Sequence, residues 1–209
     1  MMTVLHDQKF QSVLNRLLRD SEGDSQRAAG DPTINSNEIV RMGDLYLSVS
    51  QAEGELLYLL ARGRSAQFIV EFGASYGIST LYLGAAARDN GSRVVTTEIH
   101  PKKCAVLRDT LSQAGLADIV EVLEGDARET LKDINGPVDF VFLDGWKGMY
   151  LPVFNLLRPR LAANAILVAD NVDHDAAQDY VRVVRSRDSG FLSVTTGKQE
   201  ISLLITEAV

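Results

Sequence analysis

The chain has 209 residues, a length typical of one domain, and its content of 45% apolar and 23% charged residues is ordinary for a globular protein. A net charge of −7 without any run of Lys or Arg argues against a nucleic-acid partner, because phosphate backbones require clustered cations. The apolar runs are too short to span a bilayer, and the start, MMTVLHDQKF, does not resemble a secretory signal. We therefore expect no membrane partner. The lone Cys104 excludes an internal disulfide, and we expect a cytoplasmic protein.

Residues 1–62 are predicted to be largely helical. The stretch VLHDQKFQSVLNRLL repeats its apolar positions at three- and four-residue spacing, which predicts an amphipathic helix, and the polar stretch DSEGDSQRAAGDP is interpreted as a linker or loop. Ser50 and Glu53 form a capping-box pattern ahead of ELLYLLARG, which predicts another helix. Because this segment is too small for a separate core, we interpret it as a lid or homodimer contact on a single domain whose core is residues 63–209.

From Gln67 onward, strand-like and helix-like segments alternate along the chain. Five strands are predicted, each followed by a helical segment, and they are QFIVEF, SRVVTTE, IVEVLEG, VDFVFLD and AILVADN. This alternation implies an α/β fold with a mostly parallel sheet covered on both faces. Two more strand-like pieces, FLSVTT and ISLLIT, are separated by GKQE, which predicts a terminal hairpin and an antiparallel strand.

The stretch EFGASYGIST (71–80) joins the first strand to a helix, where α/β sheets bind nucleotides. Gly73 permits a close approach of the backbone to a ligand, but the second glycine of the dinucleotide fingerprint is missing. Glu71 could accept a hydrogen bond from a ligand's ammonium group, and Glu98 suits the paired hydroxyls of a ribose. S-adenosylmethionine meets these requirements; the alternative is a turn with a purely structural role.

Four motifs in combination resemble those of the cation-dependent O-methyltransferases, which include the animal catechol O-methyltransferases and the plant caffeoyl-CoA enzymes. They are EFGASYGIST, TEIHP, FLDGWKGMYLP and LVADNV, and the similarity extends from about Val49 to Asn171. The resemblance implies the Rossmann-like fold of class I S-adenosylmethionine-dependent methyltransferases, with seven strands and an antiparallel terminal hairpin. It also implies that Asp144, Asp170 and Asn171 bind a divalent cation.

The positions of these three residues agree with a metal site. Asp144 ends the fourth predicted strand and Asp170 the fifth, and adjacent parallel strands would bring both to the same edge of the sheet. Hard oxygen ligands without His or Cys favour Mg²⁺ or Ca²⁺ over zinc. The alternative is that Asp170 and Asn171 only cap the following helix.

Lys147 is the candidate general base. Like charge disfavours the ammonium form of a lysine beside a bound cation, and burial against Trp146 would act in the same direction. Because a bound metal lowers the pKa of a hydroxyl, the acceptor oxygen could lose its proton near neutral pH and attack the methyl carbon in line with the leaving sulfur. The alternative is a solvated surface lysine.

The resemblance also assigns cofactor contacts by position. The residues predicted to contact the methionine end are Val49, Glu71, Gly73, Ser75 and Ser79. Those predicted to contact the ribose and adenine are Glu98, Ile99 and Ala127. Trp146 is expected to form a wall of the substrate pocket. His174, just beyond the metal ligands, is expected at the surface, and the alternative is a contact with the substrate.

Two departures from the animal catechol enzymes bear on the acceptor. Those enzymes hold the second hydroxyl with a glutamate just before the terminal hairpin, whereas no carboxylate occurs here until Glu200. Gly145 replaces a larger residue, which favours a wider or differently gated pocket. We therefore expect a small phenolic acceptor with vicinal oxygens, although both departures weigh against catechol itself. The alternative functions are a nicotinamide-dependent oxidoreductase and a non-catalytic cofactor-binding protein.

Overall fold

The computed structural model describes residues 3–24, 43 and 45–205, and seven strands in these residues form one sheet. The strands are β1 (Phe68–Phe72), β2 (Arg93–Glu98), β3 (Val120–Glu124), β4 (Val138–Leu143), β5 (Leu161–Ala169), β6 (Phe191–Thr196) and β7 (Gln199–Leu204). The α-helices of the described residues are α1 (Gln8–Ser21), α2 (Gln51–Gly63), α3 (Ile78–Asn90), α4 (Pro101–Ala114), α5 (Ala127–Thr130), α6 (Tyr150–Leu157) and α7 (Gln178–Val184). None of the described helices has the length and apolar composition needed to cross a bilayer.

The strand order is β3-β2-β1-β4-β5-β7-β6, with β1 to β5 parallel and β7 inserted antiparallel between β5 and β6. This confirms the predicted class I methyltransferase fold. The central strands β1 and β4 are buried along their whole length, as expected for parallel strands that helices cover on both faces. The hairpin turn is shorter than predicted, because Gln199 and Glu200 of the GKQE stretch already belong to β7.

The register of the central strands determines which residues meet at the carboxyl edge of the sheet. Phe72 lies beside Leu143, and Leu143 lies beside Ala169. The residues that follow these three therefore emerge side by side. The backbone N–H of Asp144 donates to the carbonyl of Phe72 at 2.9 Å, and that of Asp170 donates to the carbonyl of Leu143 at 2.9 Å. The predicted juxtaposition of Asp144 and Asp170 is thus confirmed.

Each face of the sheet carries its own apolar core. The first core lies under α1 to α4 and includes Phe10, Leu57, Leu81, Leu107 and Phe140, all fully buried. The second lies under α6 and α7 and includes Val70, Tyr150, Phe154, Leu157 and Val184. Burial of a large aliphatic or aromatic side chain contributes roughly 1.5–3 kcal/mol each, so the two cores hold the strand ends in fixed positions.

The N-terminal helix α1 is part of the first core. Its predicted apolar stripe buries Phe10, Val13 and Leu17 there, and Arg16 donates to the side chain of Gln113 on α4 at 2.7 Å. The helix begins later than predicted, because the Asp7 carboxylate accepts from two backbone N–H groups and caps it.

The capping box that was predicted from Ser50 and Glu53 is present at the start of α2. Most of the predicted linker DSEGDSQRAAGDP lies outside the described residues. The role of residues 1–62 as a lid or dimer contact stays a prediction.

Candidate active site

A cleft of about 650 Å³ opens at the carboxyl edge of the sheet, next to the ends of β1, β2, β4 and β5. The predicted site residues that line it are Gly73, Ser75, Glu98, Ile99, Asp144, Lys147 and Asn171. The turn after β1 therefore contributes predicted cofactor residues to the same space as the turn after β4. Residues predicted to contact the cofactor therefore line the same cleft as residues predicted to bind the metal and to act as the base.

The turn after β1 has a backbone that only a few residue types adopt easily. Gly73 has a φ of +95°, Gly77 has a φ of +97°, and Ser75 between them also has a positive φ. The backbone N–H groups of Gly73 and Ala74 donate to the carbonyl of Thr97 at 3.1 and 3.0 Å, which binds the turn to the end of β2. The turn thus presents its backbone to the cleft in a fixed shape.

Glu98 is held in place by backbone donors. One carboxylate oxygen accepts from the N–H of Ser75 and the other from the N–H of His100, each at 2.8 Å. A carboxylate oxygen can accept more than one hydrogen bond, so both oxygens retain acceptor capacity for a ligand. Glu98 is therefore a pre-oriented acceptor pair at the cleft wall.

Lys103 lines the cleft and was missed by the sequence reasoning. Its side chain is only 3% exposed, and its ammonium group donates to the hydroxyl of Ser75 at 2.9 Å. The hydroxyl of Ser75 in turn donates to the carbonyl of Tyr46 at 2.5 Å. The available signal was its position in the first turn of α4, which begins at the same sheet edge as Glu98.

Val49 and Ser79 lie outside the main cleft. Both line an adjoining hollow of only about 10 Å³, between residues 46–49 and the turn after β1. The hollow shares Gly73, Ser75 and other lining residues with the cleft, so Val49 and Ser79 lie along a narrow extension of it.

Glu71 lies behind the turn and does not line either space. One of its carboxylate oxygens accepts from the hydroxyls of Thr80 and Thr96, each at 2.6 Å, and the other is buried without a partner among the described residues. Burial raises the pKa of Glu71, and the negative charge of Glu98 raises it further, while hydroxyl donors including that of Ser79 oppose the rise.

The metal ligands predicted from the sequence are two buried carboxylates and one amide. Burial raises the pKa of Asp144 to about 7; the charge of Lys147 opposes this rise, and that of Asp170 adds to it. Burial also raises the pKa of Asp170, whose Oδ1 has no hydrogen-bond partner among the described residues. The described residues contain no cluster of three or more His, Cys, Asp or Glu side chains that could hold a metal ion. A metal here would therefore also need the amide of Asn171 or ligand oxygens.

Lys147 is paired with Asp144 in this structure. Its Nζ donates to Asp144 Oδ1 at 2.8 Å, and both side chains are largely buried. The aromatic ring near Nζ is that of Tyr150, at 5.3 Å from the ring centroid. Trp146 is 47% exposed and lines the cleft as predicted, but the expected burial of Lys147 against it is replaced by packing over Tyr150.

The two departures from the animal catechol pattern receive a structural explanation. A Cβ on Gly145 would lie 2.5–2.8 Å from atoms of the Phe72 ring, so this glycine makes room for Phe72. Gly145 also lines the cleft, and the wider or differently gated pocket expected from it stays a prediction. Glu200 is fully buried and accepts two hydrogen bonds from Arg185, at 2.6 and 2.7 Å, and does not line the cleft.

Two further residues were named from the sequence. Ala127, predicted near the adenine, is buried in the second core at the start of α5 and is not among the residues lining the cleft. His174 is exposed and lines the cleft, and its Nδ1 accepts from the backbone N–H of Ala176 at 3.2 Å. His174 thus lies both at the surface and at the mouth of the candidate site.

Comparison with known proteins identifies methyltransferases among the relatives of this chain. A family model described as a methyltransferase domain matches residues 70–172. The catechol O-methyltransferase of Mycobacterium tuberculosis is 39% identical over 60% of this chain, and the chain spans only 57% of its length. The catechol O-methyltransferase of Niastella koreensis is 32% identical over 82% of this chain and 77% of its own.

A solved structure agrees over nearly the whole chain. The O-methyltransferase TomG from Streptomyces achromogenes, involved in tomaymycin synthesis and crystallised with S-adenosylmethionine, superposes with a TM-score of 0.70 at 26% identity. The match covers 90% of this chain and 98% of TomG. The chain therefore belongs to the family of cation-dependent, S-adenosylmethionine-using O-methyltransferases that includes the catechol O-methyltransferases.

Proposed function

We propose that this chain is an S-adenosylmethionine- and divalent-cation-dependent O-methyltransferase that methylates a hydroxyl of a small phenolic acceptor with vicinal oxygens. The observation that carries the proposal is the shared cleft. Glu98 and the glycine turn lie in the same space as Asp144 and Lys147, and Asp170 lies beside Asp144 at the sheet edge. A methyl donor and a deprotonated acceptor need this proximity to react.

The cofactor end of the cleft suits an adenosine that lacks phosphates. Glu98 offers two fixed acceptor oxygens for the hydroxyls of a ribose, whereas its negative charge would repel a pyrophosphate. The exposed side chain of Ile99 offers an apolar surface for adenine next to it. S-adenosylmethionine, the ligand named in the TomG structure, has this combination of groups.

The two carboxylates fit a hard divalent cation. Asp170 Oδ1 is buried without a partner among the described residues, and such an atom is costly unless a cation or donor satisfies it. Oxygen ligands of this kind, completed by Asn171 and by acceptor oxygens, favour Mg²⁺. When bound, such a cation would supply charge that lowers the pKa of an acceptor hydroxyl.

Lys147 is proposed to accept the proton of that hydroxyl. Its Nζ lies in the cleft, close to the carboxylate that would hold the cation, so it can reach the same acceptor oxygen. With a cation held by Asp144, the ammonium group would leave this pair and lose its own proton to solvent, because like charge disfavours the ammonium form. The neutral amine could then accept the proton of the hydroxyl. Trp146, at the cleft mouth, would lie along the face of a flat phenolic ring and exclude water from one side.

The acceptor class rests on the cleft and on the names of the relatives. Two adjacent oxygens can chelate one cation, and the relatives are catechol O-methyltransferases by name. The carboxylate of Glu200 accepts two hydrogen bonds from Arg185, so it is not available to bind a second hydroxyl of the acceptor. We therefore propose that the cation alone orients the vicinal oxygens.

The proposal is tested by binding and by turnover. Calorimetric titration is expected to show binding of S-adenosylmethionine and none of NAD(P). Methyl transfer from labelled S-adenosylmethionine to a panel of catechols, flavonoids and hydroxycinnamates is expected to stop with EDTA and to resume with added Mg²⁺. The absence of S-adenosylmethionine binding would reject the proposal, and turnover that EDTA does not reduce would reject its cation dependence.

A further inference from the structure

Within the described part of the chain, strand β6 lies at an edge of the sheet, and its own sequence lacks the usual protection of an edge strand. Natural edge strands are commonly guarded by charged residues, prolines or bulges. The sequence of β6, FLSVTT, contains no charge and no proline, and its register with β7 is continuous over all six residues. One face of this strand also carries two exposed aliphatic side chains, Leu192 at 64% and Val194 at 60%.

These two side chains belong to a larger apolar face on the hairpin. Leu192 pairs with Leu203 of β7, and Val194 pairs with Ile201, so all four side chains lie on the same face. Ile205, which follows β7 with the same alternation, is also largely exposed. Exposed aliphatic side chains grouped in this way mark an interaction surface.

The backbone pattern fixes which residues of β6 can pair outward. The N–H of Ile205 donates to the carbonyl of Gly190, and Thr196 and Gln199 close the two-residue turn. Even-numbered residues of β6 therefore direct their backbone groups toward β7. The odd-numbered residues, of which Ser193 is the central one, direct theirs away from β7. The N–H of Phe191 donates to the hydroxyl of Ser189 at 3.1 Å, so at Phe191 it is the carbonyl that remains for outward pairing.

We propose that β6 pairs antiparallel with β6 of a second copy of this chain about a two-fold axis at Ser193. An antiparallel strand can pair with itself, which makes the interface self-complementary. In this register each Ser193 faces its counterpart, Phe191 faces Thr195 of the other copy, and both belong to the outward-directed set. Leu192 of each copy lies beside Val194 of the other, so exposed aliphatic surface becomes partly covered.

The charges at the ends of the strand complement this arrangement. Asp188 lies before β6 and Lys198 lies in the turn after it, and both are exposed. Neither makes an ion pair within the described part of the chain. With the two-fold axis at Ser193, Asp188 of each copy meets Lys198 of the other. Opposite charges at both ends favour this register and a second copy of the chain over an unrelated partner.

The first test is the mass in solution, measured by sedimentation equilibrium over a wide range of concentration. The wild-type chain is expected to reach twice the monomer mass, and the Leu192→Lys/Val194→Lys variant is expected to stay monomeric. Both changed side chains are exposed, and circular dichroism verifies that the variant is folded. The matched control is Val106→Lys, which changes a 38% exposed aliphatic residue on α4 at the opposite edge and is expected to dimerise like the wild type. A monomeric wild type, or a dimeric Leu192→Lys/Val194→Lys variant, would overturn the proposal.

The second test addresses the register by reversing charges. Asp188→Lys and Lys198→Asp are each expected to raise the dimer dissociation constant, because each places like charges together at both ends of the strand pair. The double variant is expected to bring the constant back toward the wild-type value. If the single changes have no effect, or if the double variant associates no better than the single ones, the two-fold axis is not at Ser193.

Discussion

Gly73 and Gly145 lie so close together that a Cβ built on Gly73 would be 2.5 Å from both the Cα and the N of Gly145. This contact joins the turn after β1, which carries the proposed cofactor contacts, to the turn after β4, which carries Asp144 and Lys147. Real Cβ atoms do not approach backbone this closely, and backbone cannot yield as a flexible side chain can. The two halves of the proposed active site are therefore held at a fixed separation.

We predict that Gly73→Ala destabilises the protein and weakens S-adenosylmethionine binding. The φ of +95° strains any residue with a Cβ, and the new atom meets backbone, so a loss of about 1–3 kcal/mol is expected. Urea unfolding measures the loss, and calorimetric titration measures the affinity. Gly63→Ala is the control, because a Cβ at Gly63 meets nothing within 4 Å and alanine favours the helix end. Equal stability of Gly73→Ala and the wild type would contradict the role of this contact.

Lys147→Met is expected to retain S-adenosylmethionine affinity while turnover falls by about 100-fold or more, the range for loss of a general base. Methionine keeps much of the side-chain length but can neither accept the proton nor pair with Asp144. Initial rates at saturating cofactor measure the effect. Lys132→Met serves as the control, because Lys132 is an exposed lysine whose recorded ion pair is with Glu129, away from the cleft. Turnover of Lys147→Met close to that of the wild type would exclude the general-base role.

Asp170→Asn is expected to increase the Mg²⁺ concentration that half-maximal activity requires. Asparagine has the same shape, but it lacks the negative charge that would attract the cation. Without metal, this variant is expected to be at least as stable as the wild type, since burial already disfavours the charged form of Asp170. A Mg²⁺ activation series and urea unfolding in EDTA measure the two effects. Asp173→Asn, at an exposed position of the same loop, is expected to change neither; an unchanged Mg²⁺ requirement in Asp170→Asn would contradict a ligand role.

The sequence was sufficient for the features that depend on local pattern. Alternating apolar segments predicted the parallel strands and the terminal hairpin, and the Ser50–Glu53 spacing predicted the cap of α2. The meeting of Asp144 and Asp170 followed from a general property of parallel sheets, because residues that end neighbouring strands share an edge. Such inferences need only the order and type of the elements.

Features that depend on packing between distant residues could not be predicted. Gly145 was interpreted through the residue it replaces, whereas its actual constraint is the ring of Phe72, which lies 73 positions earlier in the chain. Lys103 carried no motif of its own, and its contact with Ser75 appears only when α4 docks beside the turn. The sequence showed Glu200 only as the first carboxylate after the expected position, and its pairing with Arg185 appears only when α7 packs beside the hairpin.

The stability of the protein is expected to depend on pH through the buried carboxyl group of Glu71. The pKa of Glu71 is raised above its ordinary value of 4.5 in the folded protein, chiefly by burial. As pH rises above that value, the unfolded chain releases the proton while the folded chain retains it. The folded state then binds more protons, so the contribution of Glu71 to the free energy of unfolding falls as pH increases until the folded-state pKa is passed.

Glutamine at this position does not titrate, so the stability of Glu71→Gln relative to the wild type is expected to rise with pH from 5 to 8. The comparison between pH values removes any constant effect of the amide, including its fit beside Thr80 and Thr96. Urea unfolding of both proteins at several pH values measures the difference. Glu121→Gln, at an exposed position on β3, is the control and is expected to give a flat difference. If the stabilities of Glu71→Gln and the wild type changed with pH in parallel, Glu71 would titrate alike in the folded and unfolded states. That outcome would contradict the prediction, which rests on the full burial of Glu71 and on its oxygen without a partner among the described residues.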